Sequence, residues 1–308
     1  MQILRGLYSP DTQPVALTIG NFDGVHLGHQ ALLNELKTSA KARGLPTAAV
    51  IFEPHPREFF APQSAPVRLS SLREKLELLS RLGIDRVHVC RFNDRFAQMT
   101  ATDFIHALHE KLSVKFVLIG DDFRFGSGRA GDFALMETAG RQHGFEVRAV
   151  PSVMHGGVRI SSTAVRAALA AGQMRRVHDY LGRTYSISGR VVHGDGVGKK
   201  LGYPTANIHL KHNRPPLSGI FVVEAHVAGL GILQGVASLG VRPTLKHDAK
   251  PILEVHLFEF GQDIYGKTLR VEFLQKRRDE QKFPDVGALT RQIALDVENA
   301  KKWFEQHD

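Results

Sequence analysis

GNFDGVHLGH, residues Gly20 to His29, is the stretch on which the reading of this chain turns. An apolar run, Val15 to Ile19, leads into it, and a helix-forming run, Gln30 to Ala42, follows. The order strand, glycine-rich turn, helix start places backbone N–H groups and two imidazoles where an anion such as phosphate can sit. His26 and His29 flank Gly28, so both rings can face one anion while the bare backbone comes close. Alone, the H-x-G-H pattern has a strong competing reading as a tight turn with two solvated histidines, and a lesser one as half of a metal site. With two histidines and no thiol nearby, the metal reading is short of ligands.

Outward from this stretch, the first half alternates strand and helix signals. Thr47 to Phe52, Arg86 to Phe92, Lys115 to Gly120 and Phe145 to Val150 join Val15 to Ile19 as short apolar strands. Ser71 and Glu74 form a capping box before a helix that stops at Gly83. Thr100 and Asp132 open two more, the second closed by Gly144. Such alternation predicts a Rossmann-like α/β domain, a parallel sheet with helices on both faces. Ligands then gather beyond the carboxyl ends of the strands, where NFDGVHLGH, EPHPREFF and DDFRFGSGRAGD follow their strands.

After Val150 the pattern changes. Ser161 or Ser162 can cap a helix to about Ala171, and Met174 to Leu181 forms another before Gly182. From Tyr185 onward, TYSISGRVV, GIFVVEAHV, LQGVASLG, ILEVHLFEF and LRVEFLQKRR alternate apolar and polar residues between Gly and Pro breaks. This predicts an antiparallel β domain, a small barrel or sandwich, closed by one amphipathic helix from Val286 to Phe304. Two domains are expected, residues 1–182 and 183–308.

At 308 residues the chain is natural for two domains. No stretch has the ~18 apolar residues of a membrane span, and Gln2 to Asp11 is too polar for a secretion leader. The single cysteine, Cys90, excludes a disulfide framework. A cytoplasmic protein with no membrane partner is expected. The net charge of +9 suits nucleic acid or small phosphorylated ligands. No long basic run marks a nucleic-acid arm, and the aromatics sit mostly in apolar runs rather than between basic residues. Small anions are the expected partners, with no nucleic acid; monomer and homo-oligomer both stay open.

A second phosphate-type element is ISSTAVR, Ile160 to Arg166, where hydroxyls and N–H groups open a helix and Arg166 lies one turn in. Two helix starts, two histidines and one arginine suit a triphosphate attacked at its α-phosphorus while pyrophosphate leaves. That reaction needs positioning and charge stabilisation more than a protein nucleophile.

GNFDGVHLGH, FEPHP (Phe52 to Pro56), GDDFRFGSGRAGD (Gly120 to Asp132) and ISSTAVR together resemble the N-terminal module of bacterial bifunctional riboflavin kinase/FMN adenylyltransferases, or FAD synthetases. The resemblance implies that His26, His29 and Arg166 act on ATP phosphates, with Ser162 and Thr163 at the β/γ end. It places Gly20, Phe22, Gly24, Gly28, His55, Asp122 and Arg129 around ATP and the incoming FMN. For Phe123 and Phe125 ordinary packing under a loop is the competing reading.

In the second half, GRVVHGDGVGKKLGYPTANI (Gly189 to Ile208) carries Gly194, Gly196, Gly198 and Gly202 in a loop leaving a strand, with Lys199 and Lys200 free for phosphates. No G-K-[ST] ends it and no helix is expected after it, so it is not a Walker loop; a flexible surface hairpin is the competing reading. Thr205 and Asn207 offer hard oxygens that can share Mg²⁺ with phosphates. Glu254, in a strand pattern, could be a general base or an ordinary solvated strand residue. Alternation sets Glu254, His256 and Phe258 on one face and Leu253, Val255 and Leu257 on the other.

This loop, SLGVRPT (Ser238 to Thr244), LEVHLFEF with DIYG (Asp263 to Gly266), and FLQKRRDEQKF (Phe273 to Phe283) resemble the riboflavin kinase module. The resemblance implies a small antiparallel Greek-key β-barrel with a terminal helix. It maps the activating glutamate to Glu254 and the Mg²⁺–ATP residues to Thr205 and Asn207. Gly194, Gly196, Gly198 and Lys199 would serve the phosphates, and Arg278 to Phe283, with Arg278 and Glu280, would close over the flavin. Riboflavin, FMN and ATP are then the small-molecule partners, FAD the final product and Mg²⁺ the cofactor. A different nucleotidyltransferase fused to an unrelated β domain is the rival; the PTAN and LEVHLFEF pair argues against it.

Overall fold

The computed structural model describes residues 1–8, 13–210, 214–241 and 251–307. Contacts divide the chain into two units: Met1–Pro66 with Ser70–Ser162, and Val67–Leu69 with Thr163–Asp308.

The first unit holds six strands: β1 (Gln2–Arg5), β2 (Val15–Ile19), β3 (Thr47–Glu53), β4 (Arg86–Arg91), β5 (Val114–Gly120) and β6 (Glu146–Val150). They form one all-parallel sheet in the order β1-β4-β3-β2-β5-β6. Five were legible as apolar runs; β1 was not, because it is a four-residue edge strand with only Ile3 and Leu4 apolar and three of its four residues exposed. A short hairpin, β7 (Met154–His155) and β8 (Val158–Arg159), follows the sheet.

Helices α1 (Leu27–Ala42), α2 (Pro56–Phe60), α3 (Leu72–Arg81), α4 (Asp94–Ala97), α5 (Ala101–Leu112) and α6 (Phe133–His143) connect the strands. Alternation along β2 explains how both faces are covered. Val15, Leu17 and Ile19 pack with Phe104, Leu108 and Met136 of α5 and α6, while Ala16 packs with Leu33 and Leu36 of α1 and Leu79 of α3. Buried on both faces, such strands read as unbroken apolar runs. From β2 the chain steps through β3 to β4, then returns to β5 on the other side of β2. That reversal is a topological switch point, where a parallel sheet opens a crevice.

In the second unit, Thr163 onward continues α7 (Ser162–Ala170), followed by α8 (Met174–Leu181). Val67–Leu69 join this unit through hydrogen bonds from Arg166 Nε to the Val67 carbonyl (2.6 Å) and from the Tyr185 hydroxyl to the Leu69 carbonyl (3.1 Å). Six strands follow: β9 (Tyr185–Val192), β10 (Ala206–His209), β11 (Gly219–Val227), β12 (Gly231–Val241), β13 (Pro251–Leu257) and β14 (Thr268–Arg278). They close into an antiparallel barrel ordered β10-β13-β12-β11-β14-β9. Because β14 returns beside β11, the run β14-β11-β12-β13 is a Greek key. One helical turn, α9 (Val197–Lys200), lies in the β9–β10 loop, and α10 (Val286–Glu305) ends the unit.

Helix α10 lies against the barrel through Ala300 and Phe304, which meet Ile220, Val222 and Val236. A bidentate ion pair reinforces this contact: Arg278 Nη2 is 2.6 Å and Nε 2.9 Å from the Asp296 carboxylate. Asp296 is only 6% exposed, so neither charge could stay there without the other.

Candidate functional sites

In the first unit, the β2–α1 turn is built on backbone that ordinary residues avoid. Phe22, Gly24 and Val25 all have positive φ (47°, 79° and 41°), yet Phe22 and Val25 are fully buried apolar residues. Burial of those two side chains offsets the backbone strain, which glycine alone would have escaped. Polar contacts secure the turn. Asp23 accepts from the Ser70 N–H (3.2 Å), Gly24 N–H donates to Ser70 Oγ (3.2 Å), and Ser162 Oγ donates to the Asp23 carbonyl (2.9 Å). Asp23 and Ser70 escaped the sequence reading, because forty-six residues separate partners that only the fold brings together.

The turn delivers His26 to the N-cap of α1, where its Nδ1 accepts from the His29 N–H at 3.3 Å. An accepting Nδ1 leaves the ring proton of a neutral His26 on Nε2. The two imidazoles stack, centroids 3.7 Å apart and planes 18° from parallel, and Phe22 closes on His29 at 5.1 Å. A Cβ on Gly28 would press on the His26 ring at 3.1 Å, which accounts for glycine between the histidines. Burial, the neighbouring His26 and the Lys75 ammonium, in that order, hold His29 well below the ordinary imidazole pKa. His29 is therefore neutral at pH 7, and its Nδ1 has no hydrogen-bond partner among the described residues.

A cavity of about 280 Å³ opens here, lined by Gly20, Phe22, His26, Gly28 and His29 from β2 and α1 and by Asp122, Phe123 and Arg159 from beyond β5 and β6. It lies at the switch point between β2 and β5, facing the positive end of a sixteen-residue helix. The arrangement can take an anion: a helix start, two stacked imidazoles and one unsatisfied ring nitrogen. Arg159, which the sequence reading passed over, forms an ion pair with Asp122 at 2.8 Å on this wall.

Other expected residues take different places. His55 caps α2 and exchanges bonds with Arg57 and Glu58. Arg129 is exposed at φ 60° on a one-turn 3₁₀ helix. Phe125 is packed against Phe104 and Phe123, in agreement with the packing reading. Ser162 is engaged with the Asp23 carbonyl, while Thr163 and Arg166 group with the second unit.

In the barrel, Leu253, Val255 and Leu257 point inward, so Glu254 and His256 stand on the outer wall. Register places Asn207 directly opposite Glu254 on one side and Ser238 opposite it on the other. Although outward, Asn207 is only 6% exposed, and its Oδ1 has no partner among the described residues. The β9–β10 loop covers it: a Cβ on Gly194 would lie 2.6 Å from the Asn207 amide, and one on Gly198 would meet the Tyr203 carbonyl and Thr205 Oγ1. Glycines at 194 and 198 thus let the loop close on Thr205 and Asn207. The loop is not wholly irregular as expected; Val197–Lys200 forms one helical turn, with Gly196 in left-handed backbone before it and Lys199 exposed.

Ser238 Oγ donates to Glu280 at 3.2 Å, bringing the segment after β14 over the same row. A Cβ on Gly240 would collide with that carboxylate. Arg278, expected at the flavin, has its guanidinium on Asp296 instead, because α10 brings a buried carboxylate to it. Arg242 to Thr244 of SLGVRPT lie outside the described residues.

Comparison with known proteins matches both units. The FAD synthetase family profile covers residues 8–164 and the riboflavin kinase profile residues 181–304. The bifunctional riboflavin kinase/FMN adenylyltransferase of Escherichia coli K12 is 46% identical over 99% of this chain and 98% of that protein. Its Haemophilus influenzae counterpart is 45% identical over 99% of both chains. A crystal structure described as a macrolide-efflux protein from Streptococcus pneumoniae superposes with a TM-score of 0.83 at 28% identity, covering 98% of this chain and 100% of that one. No helix among the described residues is long and apolar enough to cross a membrane. The chain belongs to the bifunctional riboflavin kinase/FMN adenylyltransferase family.

Proposed function

We infer that this chain carries out both reactions of its family. It phosphorylates riboflavin with ATP to FMN and ADP, then adenylylates FMN with a second ATP to FAD and pyrophosphate. The observation that carries this reading is the likeness to bifunctional relatives along 99% of the chain, with both family profiles matched in order. The functional division we propose is 1–182 for adenylylation and 183–308 for the kinase.

For adenylylation, an FMN phosphate oxygen attacks the α-phosphorus of ATP and pyrophosphate departs. The work of the protein is to hold two polyanions and stabilise the charge that builds on the leaving phosphates. We assign that to His26, His29 and the α1 N-terminus, with Gly20, Phe22, Gly24 and Gly28 shaping the cradle. Arg166, Ser162 and Thr163 act at the β/γ end, and His55, Asp122 and Arg129 flank the substrates. Neutral His29 fits an N–H donor to phosphate better than a fixed cation, and an arriving polyanion draws a proton onto it.

For the kinase step, Glu254 takes the proton of the ribityl hydroxyl as that oxygen attacks the γ-phosphorus of ATP. The buried Asn207 Oδ1, which has no partner among the described residues, lies beside Thr205 and fits a hard divalent cation, so these two residues would hold Mg²⁺. Bound there, Mg²⁺ would neutralise phosphate charge. Gly194, Gly196, Gly198 and Lys199 position the phosphates, and Glu280, held by Ser238, covers the flavin side. Arg278 supports that segment from its ion pair with Asp296. The partners are riboflavin, FMN and ATP, without nucleic acid, and the site of action is cytoplasmic. Supplying riboflavin or FMN separately with ATP and Mg²⁺ tests each half on its own.

A further inference from the structure

We propose that Glu224, His226 and Glu272 form a divalent transition-metal site, of Zn²⁺ type, on the outer wall of the barrel. Val223, Ala225 and Val227 of β11 and Val271 and Phe273 of β14 fill the barrel interior, so the alternating Glu224, His226, Arg270 and Glu272 face outward. In the β11–β14 ladder Glu224 is directly opposite Glu272, and His226 is opposite Arg270. One donor atom from each of Glu224, His226 and Glu272 lies within 4.8 Å of the other two, and all three residues are half-buried.

Two further observations point to a ligand. His226 Nε2 is buried and hydrogen-bonded to nothing among the described residues, yet sits 3.5 Å from Glu272 Oε1. Two ligands about 2.1 Å from one tetrahedral Zn²⁺ stand roughly 3.4 Å apart, so this spacing suits shared coordination. Glu224 faces a second carboxylate across the ladder and has no ion-pair partner among the described residues. Like charges directly opposite each other are unfavourable unless a cation joins them. Arg270 supplies only part of that: its Nη2 is 3.0 Å from Glu272 Oε1 and its Nε donates to Ser186 Oγ at 3.1 Å. Bonds of this kind orient a ligating carboxylate.

An imidazole with two carboxylates favours Zn²⁺ or its first-row neighbours over Mg²⁺, and three protein ligands leave a fourth position to water. Along β11 the cluster begins four residues, about 13 Å, from Ile220, the residue opposite Ser238, so it is separate from the Glu254 row. Co²⁺, a coloured stand-in for Zn²⁺, is titrated into the full chain with Mg²⁺ in excess. The expected result is one Co²⁺ per chain with a tetrahedral visible band, lost on adding Zn²⁺. His226→Ala and Glu224→Gln should each weaken binding roughly tenfold or more, with circular dichroism and FMN formation unchanged. Absence of the band, or variants that bind Co²⁺ as the parent chain does, would overturn the proposal.

Discussion

Asn207 and Glu254 stand directly opposite each other across β10 and β13, both outward, between a glycine loop and the Ser238–Glu280 contact. A carboxamide oxygen without a partner among the described residues thus neighbours the carboxylate assigned as proton acceptor. Asn207 and Glu254 belong to the second unit and the His26–His29 cavity to the first, so each proposed step can be tested by its own variant.

Replacing Glu254 with Gln removes the proton acceptor while keeping size and hydrogen bonding. FMN formation should fall by roughly 10²–10⁴-fold, while FAD formation from supplied FMN stays at the level of the parent chain. Equal loss of both activities would contradict the assignment.

His29→Ala is the mirror image. Losing a preorganised donor to the phosphates should slow FAD formation by about 10²-fold or more, leaving riboflavin phosphorylation intact. An unchanged rate from FMN to FAD would remove H-x-G-H from the adenylylation site.

Depression of the His29 pKa also sets a pH dependence. Below the ordinary imidazole value of about 6.5 the unfolded chain takes up a proton that folded His29 refuses. Stability from this residue is therefore present above pH 6.5 and lost as pH falls toward the lower folded value. Urea denaturation at pH 7 and pH 5.5 should show the drop, and His29→Gln should reduce it. A drop of the same size in the variant would assign the effect elsewhere.

The Arg278–Asp296 pair should behave as a fastener between α10 and the barrel. Asp296→Ala leaves a half-buried guanidinium unpaired and should cost about 3 kcal/mol in denaturant unfolding of the second unit. An unchanged unfolding midpoint would show that the pair contributes nothing to the fold.

Cys90 is fully buried in β4, and burial pushes its thiol pKa up to about 12. Almost no thiolate exists at pH 8, so alkylation by iodoacetamide should require denaturant. Rapid labelling of the native chain would mean that this face of the sheet opens readily.

Much of the fold was legible because its elements obey local rules. Val15 to Ile19 is buried on both faces and reads as one apolar run, and Ser71 with Glu74 closes the expected capping box. β1 was missed because an edge strand needs no apolar code. Within the candidate sites, His26, His29 and Asn207 could be singled out from motif and neighbours. Asp23 with Ser70, Arg159 with Asp122, and Arg278 with Asp296 could not, since each pairing spans many residues that only folding brings together. The outward face of Glu254 was left open by alternation alone; burial of Leu253 and Val255 decides it.

The central claim is that one chain makes FMN and then converts it to FAD at two separate sites. Incubating the full chain with riboflavin, ATP and Mg²⁺ and following the flavins over time by chromatography tests it most directly. The account predicts that FMN rises first and FAD follows, with ADP and pyrophosphate as the other products. Formation of neither flavin nucleotide, or of FMN with no FAD even when FMN is supplied, would contradict it.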